Sequence, residues 1–215
     1  MINQQPFSIQ GGLYLVIDPS MPLDTLLSKT EAAIQGGVDI IQVWNNWKEG
    51  INKTVVITAI IAVAHRHAIP VIINEQEEIL HTLPVDGIHF DEIPLNFAAL
   101  KKNSSRPFLA GITCGNDMNK IEWAIQNELD YISFCSVFPS SSVSTCELVS
   151  REVIHATRAL TNMPVFLSGG ITTDNIDSLK DTGMNGIAVI SGIMNAASTQ
   201  ISASQYKQAL THIKQ

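Results

Sequence analysis

The sequence predicts a (β/α)8 barrel of the α/β class, a TIM barrel formed as one domain over residues 1–215. Three observations point there. Eight short apolar runs alternate with eight helical segments, roughly every 25 residues, as parallel strands joined by right-handed crossovers do. Hydrophobic residues make up 45% of the chain against 15% charged, enough to bury a large core. Two of the runs, 164–171 and 186–193, end in Ser168, Gly169 and Gly170 and in Ile190, Ser191 and Gly192. Glycine there lets the backbone come close to a ligand, and the loops after strands seven and eight are where such a barrel commonly holds a phosphate. A doubly wound sheet of eight strands is the rival; the count of eight favours the barrel.

The elements follow in order. Strand 13–17 ends at Asp18-Pro19, and helix 21–35 is stopped by Gly36-Gly37. Strand 39–43 leads through a loop rich in Trp and Asn to helix 52–67, and strand 69–74 follows. A short helix over 75–83 precedes strand 86–90, and Pro94 opens a helix running to about residue 101. Strand 108–113 is followed by a helix that Asn116 or Asp117 can cap, through about residue 127. Strand 130–134 gives way to a Ser/Thr-rich loop and a late helix, 147–160. Strand 165–168, helix 172–181, strand 186–190 and a last helix from about 204 to 213 complete the series.

Composition narrows the function. A net charge of −7 argues against a general nucleic-acid or membrane-surface binder. Residues 1–10 lack the basic start and apolar stretch of a secretory signal, and the longest apolar run, 55–64, is too short to cross a bilayer. Three cysteines without CxxC spacing suggest neither a disulfide framework nor a zinc site, so a reduced cytoplasmic setting fits. The expected partner is a small molecule; a homo-oligomer is compatible with the sequence.

In a barrel the chemistry lies at the carboxyl ends of the strands. Trp44 and Asn46 after strand two can sandwich a flat heteroaromatic ring and bond its edge, or can simply close the barrel top. Glu75 after strand three and Asp91 after strand four are oxygen donors suited to Mg²⁺, or are ordinary solvated loop acids. Ser140 and Ser142 belong to a hydroxyl-rich loop able to wrap phosphate oxygens as a lid, or are part of a merely flexible polar loop. His89 ends strand four, where a lone histidine is more often a packed structural residue than a base.

These residues, in this order, resemble the thiamine phosphate synthases and their sister branch, the thiazole tautomerases. The resemblance covers nearly the whole chain: Leu13-Tyr14-Leu15-Val16, Gly36-Gly37-Val38, Ile41-Gln42, residues 70–74, Asp86-Gly87-Ile88-His89, Asp130-Tyr131-Ile132, Val137-Phe138-Pro139, residues 168–171 with Asn175, and residues 186–193. It implies a synthase that displaces the diphosphate of a hydroxymethylpyrimidine diphosphate with the nitrogen of a thiazole phosphate, with Mg²⁺ on the diphosphate. It implies catalytic roles for Gln42, Asn74, Thr113, Ser140 and Ser142, metal ligation by Glu75 and Asp91, and phosphate binding by the two glycine-ended strands; Trp44, Asn46 and His89 are the further candidates for holding the substrate.

The departures from the family pattern fall on charge. Trp44 and Asn46 replace an Arg and a Lys, Gln76 replaces an Arg, and Val143 replaces a Lys. Lys48, Lys53 and Arg151 are the candidates to stand in. The tautomerase histidine corresponds to Ser136. Besides synthesis, two readings therefore stay open: a divergent member that binds thiazole phosphate, thiamine phosphate or a similar metabolite without turnover, and a different transformation of a small phosphorylated compound.

Overall fold

Eight parallel strands pair in chain order and close, the last onto the first, in a computed structural model that describes residues 7–139 and 147–213. They are β1 (Gly12–Ile17), β2 (Ile40–Val43), β3 (Val71–Asn74), β4 (Gly87–Phe90), β5 (Leu109–Thr113), β6 (Tyr131–Cys135), β7 (Val165–Ser168) and β8 (Gly186–Val189). Around them lie the helices α1 (Leu23–Gln35), α2 (Lys53–His65), α3 (Glu77–Thr82), α4 (Phe97–Asn103), α5 (Met118–Gln126) and α6 (Arg151–Leu160). A 3-10 helix (Ile176–Thr182) follows β7, and α7 (Ser191–Met194) and α8 (Thr199–Ile213) follow β8. Among the described residues no helix is long and apolar enough to cross a membrane.

The strands read as unbroken apolar runs because both faces are covered: every residue of β2, β3 and β4 is buried. One face packs on the helices. The other fills the barrel with Tyr14, Ile40, Ile72, Leu109, Tyr131 and Phe166, and Ile9 packs with them. Space for the rings comes from glycines on neighbouring strands. A Cβ at Gly111 would run into the Tyr131 ring, and one at Gly186 into the Phe166 ring. The base of the barrel has a repeated brace. The residue just before each even-numbered strand accepts the N–H of the preceding odd strand: Leu13 to Asp39, Val71 to Asp86, Ala110 to Asp130 and Val165 to Asn185, at 2.7–2.9 Å. These polar side chains satisfy strand-end donors at the face that serves stability, which leaves the opposite mouth for function.

Four helices differ from expectation. α4 starts at Phe97 with Asn96 as its N-cap, so Pro94 stands outside it. The segment after β7 winds as a 3-10 helix because its buried residues, Ile176, Leu179 and Thr182, recur every third position. α6 starts at Arg151, not 147, since Ser150 accepts the Val153 N–H as its N-cap. Helix α8 begins at Thr199, five residues before the expected start, with Ser198 accepting the Ile201 N–H.

Candidate active site

The carboxyl ends of the strands open into a cavity of about 690 Å³. Its floor is a chain of neutral polar side chains. Tyr14 donates its hydroxyl to Gln42 Oε1 (2.7 Å) and lies 2.9 Å from the Tyr131 hydroxyl. His89 Nδ1 meets the same Tyr131 oxygen at 2.9 Å, and its Nε2 meets Thr113 Oγ1 at 2.8 Å. Five strands thus contribute to one network, β1, β2, β4, β5 and β6. It is positioned by in-register pairing: Gly111 lies opposite both His89 and Tyr131 on its two neighbours. Phe166 stands edge-on to both tyrosines, with ring centres 5.4 and 5.6 Å away.

Electrostatically this floor is uncharged at neutral pH. Burial pushes the phenols of Tyr14 and Tyr131 up and lowers His89 to about 4. A neutral imidazole carries one donor and one acceptor, so His89 can orient its two hydroxyl neighbours without adding charge. The shift has a stability consequence. Between pH 6.5 and about 4 the unfolded chain binds the His89 proton and the folded chain does not, so stability rises with pH through that window and is full above it. The integrated effect is up to about 3 kcal/mol. Urea titrations at pH 4.5 and 7 should show this loss in the wild type and a smaller one in His89→Asn; equal losses would contradict the assignment.

At one side of the mouth Gly169 (φ +85°) and Gly170 (φ +66°) turn the chain sharply after β7. Every carbonyl of this turn is tied to a protein donor. Ser168 O accepts from Val137 N (2.9 Å), Gly169 O from Phe138 N (3.1 Å), Gly170 O from Asn175 Nδ2 (2.9 Å) and Ile171 O from Tyr206 Oη (3.0 Å). The Ser168 hydroxyl is itself committed to Phe134 O. With its acceptors engaged, the turn is rigid and presents an anion with little carbonyl repulsion. Ile190, Ser191 and Gly192 line the cavity beside it, and a Cβ on Gly192 would collide with the Tyr206 hydroxyl.

At the opposite side Asp91 and Glu92 line the wall. Asn74, itself 1% exposed, donates to Asp91 Oδ2 (3.2 Å) and to His89 O (3.3 Å). Cys114 also lines the wall, its thiol pushed up to about 12 by burial.

Of the residues expected from sequence, the cavity gathers Gln42, Trp44, Asn74, His89, Asp91 and Thr113, together with Ser168, Gly169, Gly170, Ile190, Ser191 and Gly192. Two are placed elsewhere. Asn46 turns away and donates to Asp18 Oδ2 (3.0 Å), tying the loops after β1 and β2. Glu75 lies behind the wall, its carboxylate accepting the Asp91 N–H (2.7 Å), and burial raises its pKa. Ser140 and Ser142 lie outside the described residues.

None of the expected stand-in cations lines the cavity. Lys53 donates to Gln76 Oε1 (2.6 Å) and sits 5.5 Å over the Trp47 ring; Arg151 donates to Ser178 O (2.7 Å). Lys120, Tyr14 and Tyr131 do line it, although strand-end reasoning omits them.

Mg²⁺ is commonly held by one or two carboxylates, with waters and substrate phosphates completing the shell. Among the described residues no group of three potential ligands converges. Asp91 fits the role of a single wall carboxylate, with Glu75 bracing its backbone.

Comparison with known proteins gives a family and a fold. The family model described as thiamine monophosphate synthase (TMP-TENI) matches residues 13–193. A thiamine-phosphate synthase of Nitrosococcus oceani is 26% identical over 198 residues, which cover 92% of this chain and 91% of that protein. One from Prochlorococcus marinus subsp. pastoris is 30% identical over 207 residues, 94% of this chain and 57% of the relative. Among solved structures, the thiamine phosphate pyrophosphorylase of Pyrococcus furiosus superposes with a TM-score of 0.82 at 18% identity, over 96% of this chain and 98% of that one.

Proposed function

The chain belongs to the thiamine monophosphate synthase family, and on that footing we propose that its cavity joins hydroxymethylpyrimidine diphosphate to thiazole phosphate, forming thiamine phosphate and diphosphate. The observation that carries this reading is the cradle at Gly169 and Gly170, whose carbonyls are all engaged within the protein. It supplies a seat for the thiazole phosphate beside a floor of neutral donors and acceptors suited to a heterocycle.

The chemistry asks little proton transfer of the protein. The bond from the pyrimidine methylene carbon to the diphosphate oxygen breaks with both electrons leaving on oxygen. The lone pair of the thiazole nitrogen then forms the new carbon–nitrogen bond, and no proton is removed from either partner. A floor without an ionised base matches that demand: His89 is neutral and bonded at both ring nitrogens. Gln42, Tyr14 and Tyr131 orient the pyrimidine, and Phe166 packs against the two tyrosines beneath it. Asn74 holds Asp91 toward the diphosphate side.

Magnesium is part of this proposal, with Asp91 as its protein ligand and Glu75 as the brace behind it. The ion would neutralise charge on the departing diphosphate. A cytoplasmic setting belongs to the same reading; among the described residues Cys114 and Cys135 are free thiols.

One observation favours a second reading, ligand binding without turnover. Among the described residues a single lysine or arginine lines the cavity. Incubating the protein with both substrates and Mg²⁺ separates the two: synthesis yields thiamine phosphate and diphosphate in equal amounts. Thermal stabilisation by thiazole phosphate without any product leaves binding alone.

A further inference from the structure

We propose that Lys120, from the first turn of α5, is the residue that grips the diphosphate of the pyrimidine substrate in this chain. The inference rests on the synthase reading and deepens it. Lys120 is the one lysine or arginine on the cavity wall among the described residues. Its position is costly for an ordinary surface lysine. The first turn of a helix carries partial positive charge, which disfavours a cation. The side chain is also only 13% exposed.

The ammonium bridges to the wall opposite the glycine cradle. It donates to the Asp91 carbonyl (2.7 Å) and pairs with Glu92 Oε1 (2.8 Å). An ammonium has three N–H donors, so these two contacts leave capacity for a ligand oxygen. The partner Glu92 is 81% exposed and lies on the same wall. An ion pair with so exposed a carboxylate is weak and screened. A diphosphate oxygen, multiply charged and inside the cavity, competes with it on favourable terms. The Asp91 carbonyl meanwhile keeps the ammonium next to the carboxylate assigned to the metal.

Lys120 thus restores one of the positive charges that Trp44, Asn46, Gln76 and Val143 lack, and does so from a helix rather than a strand end. As the carbon–oxygen bond breaks, its N–H donates to the oxygen that takes the electron pair.

The test measures inorganic diphosphate and thiazole phosphate affinities by calorimetry in the full chain, for Lys120→Met, Lys120→Arg and Glu92→Gln. Lys120→Met should weaken diphosphate binding about 10- to 100-fold, the range of a charge-assisted hydrogen bond, and leave thiazole phosphate binding unchanged. Lys120→Arg should recover most of the loss. Glu92→Gln, which releases the ammonium, should tighten diphosphate binding several-fold and serves if the methionine variant does not fold. Unchanged diphosphate affinity in Lys120→Met or in Glu92→Gln, or an equal loss for both ligands, overturns the assignment. Failure of the synthase reading looks different: no product from the wild type, with diphosphate binding still dependent on Lys120.

Discussion

Gly170→Val is expected to abolish the thermal stabilisation that thiazole phosphate confers on the protein. Two independent terms act at this position. Its φ of +66° is a conformation that a β-branched residue adopts only under strain, at a cost of about 1–3 kcal/mol. A Cβ there would also run into Pro139 O and lie 2.8 Å from Phe138 Cβ, within the turn that frames the cradle. The turn must open, and the bonds from Phe138 N and Asn175 that immobilise it are lost with it. At a ligand concentration of 100 Kd the wild type gains about 2.7 kcal/mol, and the variant should gain none. Gly50→Ala is the matched control, because Gly50 is also left-handed (φ +80°) but a Cβ there meets nothing within 4 Å. It should lose some stability and keep the full ligand shift. A full shift in Gly170→Val would move the phosphate away from the β7 turn.

Asp91→Asn should lower synthase turnover by two orders of magnitude or more while leaving the fold intact. The amide oxygen can still accept the Asn74 bond, so the change removes charge rather than structure. The Asp91 carboxylate would act through the Mg²⁺ it holds against the departing diphosphate, and losing one such stabilising contact to the transition state costs about 100- to 1,000-fold. The proposal of Mg²⁺ at Asp91 adds a second signature: the Mg²⁺ concentration for half-maximal rate should rise at least tenfold. Glu75→Gln, acting through the backbone that carries Asp91, should show a smaller shift of the same kind. Turnover and Mg²⁺ dependence equal to wild type in Asp91→Asn would remove this residue from the reaction.

Much of the architecture is legible in the sequence because both faces of each barrel strand are buried, which makes the strands conspicuous as apolar runs. Gln42, Asn74, His89 and Thr113 stand out for the same reason, as polar residues at or near the ends of those runs. The same logic hides Tyr14 and Tyr131. Within an apolar strand a tyrosine reads as packing, and nothing local reveals that its hydroxyl closes a network with a residue up to 117 positions away. Gly111 is the available signal, since a glycine inside a strand often marks the close approach of something large.

Lys120 is invisible to strand-end reasoning because it lies on a helix. A lysine in a helix's first turn, against the dipole, is the mark by which it can be found. Asn46 and Glu75 show the converse. Both sit at strand ends as expected, yet neighbouring backbone and side-chain groups claim them: Asp18 binds the one, and the Asp91 N–H engages the other. Strand-end position selects the mouth of the barrel, but which side chains enter the cavity depends on loop hydrogen bonds between residues distant in sequence.

The most direct measurement of the central claim is a single-turnover reaction with the protein in excess over hydroxymethylpyrimidine diphosphate, saturating thiazole phosphate and Mg²⁺, quenched over time and read by mass spectrometry. The account predicts one thiamine phosphate and one diphosphate per pyrimidine diphosphate consumed, with a slower rate in Lys120→Met. Pyrimidine diphosphate that persists unchanged while thiazole phosphate still raises the melting temperature would contradict it, leaving a phosphate-binding barrel without synthase chemistry.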